Sequence, residues 1–351
     1  MPDQRERPAK PVRVVAHQFH EGSMTMFNRT TVSGVILLAG LAPASAMACA
    51  CGCGIFDAGV TGITPQESDS GLSVFARYST MDQDQNREAG HAASPDDNSD
   101  KRIETDFYTL GINYVIKRKW MVMAELPVFD RKFTTTGADA NGNPVVETVP
   151  LTDLGDAMIR LVYTGFAPDM STGLGVGIKL PTGRYTSPVD QYGGYPYDRD
   201  SLPGTGSTDL EVNGYHVGHI AGAARWFIQA QYKFAVATRD GYRPGNEVDG
   251  GLGVTYDLPA GTAVISPTLQ LLASVRAHDS GPEADPLNSG YQRLLLAPGL
   301  RVQITRKLSI YGDVAFPIAQ YTNAASSVAI EGTSGQLAAH ALFKLQVNYG
   351  F

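Results

Sequence analysis

Apolar side chains recur at every second position over residues 342–351. Phe343, Leu345, Val347, Tyr349 and Phe351 share one face, and Lys344, Gln346 and Asn348 stand between them. A period of two predicts a strand with one apolar and one polar face. An aromatic residue at the very end of the apolar face is the habit of the closing strand of a bacterial outer-membrane barrel, which makes Phe343, Tyr349 and Phe351 an assembly signal. From this segment alone, a soluble sandwich is the alternative.

The same alternation returns from Gly71 onward. Leu72, Val74, Ala76 and Tyr78 oppose Ser73, Phe75, Arg77 and Ser79, and Tyr108, Leu110, Ile112 and Tyr114 share a face in 105–115. Further alternating segments lie near 120–126, 155–164, 173–179, 208–217, 226–234, 249–256, 263–275, 291–304 and 308–316, and the last ends at Phe351. Connections are long (81–104, 127–153, 181–207, 278–289 and a last one reaching Gly335) and short (116–119, 165–170, 218–224, 257–261, 305–307) by turns. Long loops on one side and tight turns on the other are the rule in outer-membrane barrels, with the turns in the periplasm. The reading is therefore an all-β, transmembrane antiparallel β-barrel of twelve strands with both termini periplasmic. It places Asp82, Asp139, Asp198, Asp240, Glu283 and Ala325 outside, and Arg118, Asp169, Gly222, Pro259 and Arg306 in the periplasm. Trp120, Tyr163, Trp226, Tyr349 and Phe351 belong at the membrane interfaces as scaffold. Gly173, Gly175 and Gly177 relieve crowding or permit curvature.

From residue 49 on, no stretch approaches the 18 to 20 apolar residues of a spanning helix. With 28 basic against 35 acidic residues, the chain has no electrostatic footprint for nucleic acid.

Ahead of the barrel, residues 1–48 read as an upstream extension followed by a signal peptide. Arg29 supplies the charged end, 32–41 the apolar run, and Ala44-Ser45-Ala46 or Ala46-Met47-Ala48 the cleavage site, with translation starting at Met24 or Met26. A retained signal anchor is the alternative. Residues 49–70 form a short periplasmic leader that holds all three cysteines, Cys49, Cys51 and Cys53. They could form one disulfide with an idle thiol, bind a soft metal such as Cu(I) or zinc, exchange disulfides, or carry lipid at Cys49. Beyond that soft metal, no cofactor is indicated.

Within the barrel, 71–351, charged residues of both signs fall on inward phases: Arg77, Glu125, Arg160, Lys179, Asp209, Glu211, Lys233, Arg276, Arg293, Arg301, Asp313 and Lys344. Such a belt lines a solute path or forms a neutralised, packed interior. Catalysis is poorly supported, because His216 and His219, three apart in a strand, face opposite ways, and no serine marks a nucleophile beside them. His278 and His340 stand in other segments.

The run Gly177-Ile178-Lys179-Leu180-Pro181-Thr182-Gly183-Arg184-Tyr185, with Leu202-Pro203-Gly204-Thr205-Gly206-Ser207-Thr208-Asp209, Leu154-Gly155-Asp156 and Phe351, resembles the outer-membrane transport barrels associated with the meta-pathway of phenol degradation. That resemblance spans about 71–351 and implies passive movement of a small, aromatic or apolar solute across the outer membrane. Alternatives are an adhesion or structural scaffold with a plugged lumen, or a barrel serving a periplasmic metal or redox partner. The partners expected are outer-membrane lipid, the barrel-assembly machinery and a small-molecule solute.

Amino-terminal sequencing of the native protein should find the mature chain beginning between Met47 and Cys49, in the membrane fraction. A chain starting at Met1 in the cytosol refutes the export reading.

Overall fold

The computed structural model describes residues 71–189, 197–324 and 335–351. The signal segment, Cys49, Cys51, Cys53 and Ala325 lie outside the described residues. In chain order the strands are β1 Gly71–Glu88, β2 His91–Ala92, β3 Asp100–Ile116, β4 Trp120–Ala138, β5 Pro144–Leu154, β6 Ala157–Tyr163, β7 Thr172–Leu180 and β8 Thr208–Ala221. There follow β9 Ala224–Ala237, β10 Glu247–Tyr256, β11 Leu258–Ala260, β12 Ala263–Arg276, β13 Tyr291–Gln303, β14 Leu308–Thr322 and β15 Gln336–Gly350.

Twelve of these, all but β2, β5 and β11, form a closed antiparallel ring in sequence order, with β10 joined to β12 and β15 to β1. Closure gives both edges of every barrel strand a partner. The seam runs without a break from Ser73↔Gly350 to Met81↔Leu342. Phe351 carries it one step further by donating its backbone N–H to Leu72 O at 2.9 Å, and its ring packs edge-on against Tyr349 at 5.3 Å.

Alternation assigns the faces as expected. Leu110, Leu174 and Val176 on the outside are 57 to 68 % exposed, whereas Glu125, Arg160 and Lys179 on the inside are at most 8 % exposed. Apolar groups also pack inside the ring. One cluster lies near mid-height around Phe107, Leu272, Leu295 and Leu342. A second, at the long-connection end, holds Ile103, Phe133, Leu151, Tyr197, Leu202 and Leu337. The third, at the short-turn end, gathers Val115, Met121, Met123, Val162, Met170 and Tyr215.

Several expected loops are instead strand. The ladder of β1 and β3 continues as far as Gln83↔Ile103, so the first long connection shrinks to 89–99. Asp82, expected in a loop, accepts from Arg102 Nε at 2.8 Å across that ladder. Residues 127–153 form a hairpin: β4 pairs with β5 from Val128↔Leu154 to Ala138↔Pro144, and with β6 from Trp120↔Tyr163 to Glu125↔Met158. The reason is physical: above the apolar band the outward face turns polar (Asp130, Lys132, Thr134) and the inward face mixes Ile103, Phe133 and Leu151 with polar groups such as Arg131 and Thr135, so the apolar-out alternation vanishes while the backbone ladder persists. Among the described strands β5 pairs only with β4, which is why Pro150 is tolerated there. At the other end, the turn expected over 218–224 narrows to Gly222 and Ala223, and Pro259 lies in β11.

Deleting Phe351 removes the Leu72 hydrogen bond, worth about 1 kcal/mol, and an aromatic contact at the seam. Refolding into detergent micelles, followed by heat-modifiable gel mobility, should slow. Unchanged kinetics would argue against a role for Phe351 in closing the barrel.

Candidate functional site

Inside the barrel, toward the long-connection end, lies a cavity of about 260 Å³. Its lining is mixed: apolar groups from Phe107, Pro127, Phe129, Met158, Leu202, Pro203 and Phe234 stand among charged ones. Phe107 and Phe129 meet edge to face at 4.8 Å. Leu202, Pro203 and Thr205 reach the cavity because the 197–207 segment folds inward over it rather than out into solvent.

The charges form a chain around the wall. Arg77 pairs with Glu125 at 3.1 Å, Glu125 with Arg160 at 2.5 Å, and Arg160 with Glu211 at 2.8 Å. Arg160 and Glu211 sit on β6 and β8, with β7 between them, and Gly177 stands opposite both. A Cβ at Gly177 would lie 3.2 Å from Arg160 Cγ and 3.3 Å from Glu211 Cβ. Its absence lets the ion pair cross the strand. Farther round, Lys233 pairs with Glu247 at 3.2 Å, while Ser274 Oγ and Gln231 Nε2 donate to Asp249 at 2.5 and 2.8 Å. Taking charges out of water is expensive, and these partners offset that cost.

Above this chain, Asp156 fastens the inward connection. Its Oδ1 accepts from Gly183 N at 3.0 Å. Its Oδ2 accepts from Thr205 N and Thr205 Oγ1, each at 3.0 Å, and from Lys179 Nζ at 2.7 Å. Lys179 Nζ also donates to Thr205 Oγ1 and Ser207 Oγ and pairs with Asp209 at 3.1 Å. Gly155, Gly183 and Gly204 let three backbones stack here: a Cβ on Gly183 would fall 2.7 Å from Gly155 C and 2.9 Å from Gly204 Cα. Fully buried Arg131 holds the same connection by donating to Ser201 O and, through Nε, to Thr105 Oγ1 at 2.8 Å. Tyr197 Oη donates to Val149 O at 2.7 Å. Burial, with Asp100, Asp200 and Asp285 nearby, pushes the Asp198 carboxyl well above the usual range.

A second fastening joins the two neighbouring connections. Asp279 accepts from Arg276 at 2.7 Å, from Tyr242 Oη at 2.6 Å and from Gly245 N at 2.7 Å. Burial is the main reason that the Tyr242 phenol is pushed well up.

Of the inward residues read from sequence, Arg77, Glu125, Arg160, Lys179, Asp209, Glu211, Lys233, Arg276 and Lys344 line the cavity. Arg293 is buried with its guanidinium 4.1 Å from the Tyr291 ring centroid, Arg301 is half-buried, and Asp313 stands opposite Lys344 beside a much smaller void. These three lie outside the main cavity lining. Sequence reasoning missed Asp156, Glu247, Asp249 and the Phe107 to Phe129 pair. Asp156 had a signal, since it belongs to one of three short runs that converge on the fastening. The histidines do not converge: His216 Nδ1 lies 2.7 Å from Thr172 Oγ1, and His340 stands beside Asp84 at 3.1 Å. Among the described residues no group of three His, Cys, Asp or Glu could hold a metal ion.

No protein-family model matches the chain, and no curated protein matches it. Among solved structures it is similar to an outer membrane channel from Pseudomonas putida F1, at 12% identity and a TM-score of 0.57, over 83% of this chain and 98% of that one. It also matches the beta domain of the Bordetella autotransporter BrkA, at 12% identity and a TM-score of 0.46, over 81% of this chain and 100% of that one. A deltaS2S3 mutant of the TodX monoaromatic hydrocarbon channel matches at 10% identity and a TM-score of 0.41, over 84% of this chain and 96% of that one. The likeness to the Pseudomonas putida F1 structure is one of fold, a closed antiparallel β-barrel. The narrower resemblance to phenol meta-pathway barrels finds no matching family model to carry it.

Replacing Arg160 with Met should destabilise the folded barrel by about 3–5 kcal/mol, because Glu125 and Glu211 lose their shared cation. The double variant Arg160→Met, Glu211→Leu should recover much of this, since Arg77 still pairs with Glu125. Urea midpoints in detergent measure both. With Glu211→Leu measured alone as well, a double variant that loses the sum of the two single effects would mean that the two side chains are not coupled.

Proposed function

We propose that this chain spans the outer membrane and acts as a passive channel for a small aromatic or apolar solute. One observation carries the reading: the closed barrel turns an apolar band outward all round, and encloses a cavity lined by aromatic and other apolar groups together with paired charges. The continuous outer band suits hydrocarbon, where closure satisfies every backbone amide. The ion pairs neutralise one another, so the cavity presents polarity without a single-sign ring that would select ions. The Phe107 and Phe129 rings supply a surface for an apolar or single-ring compound, and the likeness to a Pseudomonas putida F1 outer membrane channel adds support through the fold. Solute passage needs no catalytic group, and the chain is read as a non-enzyme.

A second reading, a plugged scaffold, has its own support. The inward 197–207 segment and the three apolar clusters occupy space inside the ring. A leader partnering a periplasmic metal or redox protein through Cys49, Cys51 and Cys53 is an additional role for residues outside the described barrel.

Liposomes containing the refolded protein should take up single-ring aromatic compounds faster than empty liposomes. Phe107→Ala with Phe129→Ala should slow that uptake several-fold. Asp156→Ala, which unfastens the inward connection, should raise ion conductance in planar bilayers. Neither uptake nor conductance in the native protein and in Asp156→Ala would favour the scaffold.

A further inference from the structure

At the short-turn end, the connection between β3 and β4 is Lys117-Arg118-Lys119. Lys119 N donates to Ile116 O at 3.0 Å, and the two central residues, Lys117 and Arg118, have φ of 51° and 55°. Such a turn favours Asn-Gly, which adopts positive φ at little cost. Here the chain places two cations in that conformation instead. The turn is also anchored. Thr164 N donates to Lys119 O at 2.8 Å and Thr164 Oγ1 to Arg118 O at 3.0 Å, while Arg118 Nε donates to Pro168 O at 2.9 Å. Lys117 and Lys119 are exposed. The only acid in the 164–171 connection, Asp169, accepts from Ser171 N at 3.1 Å.

Directly beside this basic turn, on the outer face, runs an aromatic row. Trp120 meets Tyr163 at 4.8 Å and Tyr163 meets Phe166 at 4.9 Å, both edge to face. Trp120 is 42 % and Phe166 55 % exposed, so the row is open to whatever surrounds the barrel. A fixed set of cations above exposed, partly polar aromatics matches one chemistry: a phosphate head joined to apolar chains.

We propose that the 117–119 turn and the Trp120, Tyr163 and Phe166 row form a binding surface for the headgroup of an anionic phospholipid. The turn's cations take the phosphate, and the aromatic row meets the upper part of the acyl chains. This rests on the membrane reading above, and it adds a preferred lipid at one rim.

The test is native mass spectrometry of the full chain, refolded in detergent and mixed with phosphatidylglycerol or phosphatidylethanolamine. The native protein should retain phosphatidylglycerol preferentially. Lys117→Asn with Arg118→Gly suits the turn's backbone at least as well, and should weaken that retention on the order of tenfold. Lys117→Gln with Lys119→Gln, which keeps the Arg118 bond to Pro168, should weaken it similarly. Equal retention of both lipids, or retention unchanged in both variants, would overturn the proposal. Displacement of the lipid by millimolar inorganic phosphate would also overturn it, by making the turn a free-anion site. A native chain that fails to enter vesicles when detergent is removed would instead overturn the membrane reading itself.

Discussion

The Asp156 carboxylate holds together three segments that are far apart in the chain. It stands where β5 ends and β6 begins, accepts from the backbone just after β7, and accepts again from the residues that lead into β8. Without such an acceptor, Gly183 N and Thr205 N would need other partners within a packed mouth. Lys179 supplies the balancing charge and hands the connection on to Asp209. The inward course of 197–207, and hence the roof of the cavity, rests on that acidic side chain together with Arg131 and Tyr197, and on the glycines that let the backbones approach.

The second constraint is the pairing of charge inside the wall. An interior of Leu and Phe would be simpler to pack, yet the belt keeps alternating signs from Arg77 to Glu211. Buried pairs are weak evidence for stability, because desolvation consumes most of the attraction. Their value here is geometric. Glu125 and Arg160 stand on neighbouring strands, Arg160 and Glu211 reach over Gly177, and Arg77 reaches across β3 to Glu125, so the paired side chains run along the wall. Gly177 and the Arg160 to Glu211 pair are one device: the glycine makes room, and the pair fills it without crossing the lumen.

The strands were legible in the sequence because each of their faces meets a uniform environment over some ten residues. Leu174, Val176 and Ile178 against Gly173, Gly175, Gly177 and Lys179 is enough to set both the strand and its facing. Strand ends were not legible, since the β1 and β3 extension and the β4 to β5 hairpin carry polar residues on both faces. The inward-pointing residues could be named from phase alone, but their pairings could not: Arg160 and Glu211 are 51 positions apart, and only the register of β6, β7 and β8 brings them together. The inward fold of 197–207 was hidden for a different reason. Its Gly, Pro and Tyr content is that of a solvated loop, and the short runs around Asp156, Gly183 and Thr205 gave a resemblance without revealing that they touch.

A closed wall and a fastened roof divide what can move from what cannot. Each of the twelve strands is hydrogen-bonded on both sides, so widening the ring would break a ladder along its whole length. The inward connection is held differently, by side chains gathered at a few points: Asp156 at both of its ends, Arg131 at Ser201 and Tyr197 at Val149. Losing those few contacts costs far less than opening a seam. Any change in the width of the lumen therefore has to come from this connection and from the lumen side chains it covers, with the wall as the fixed frame.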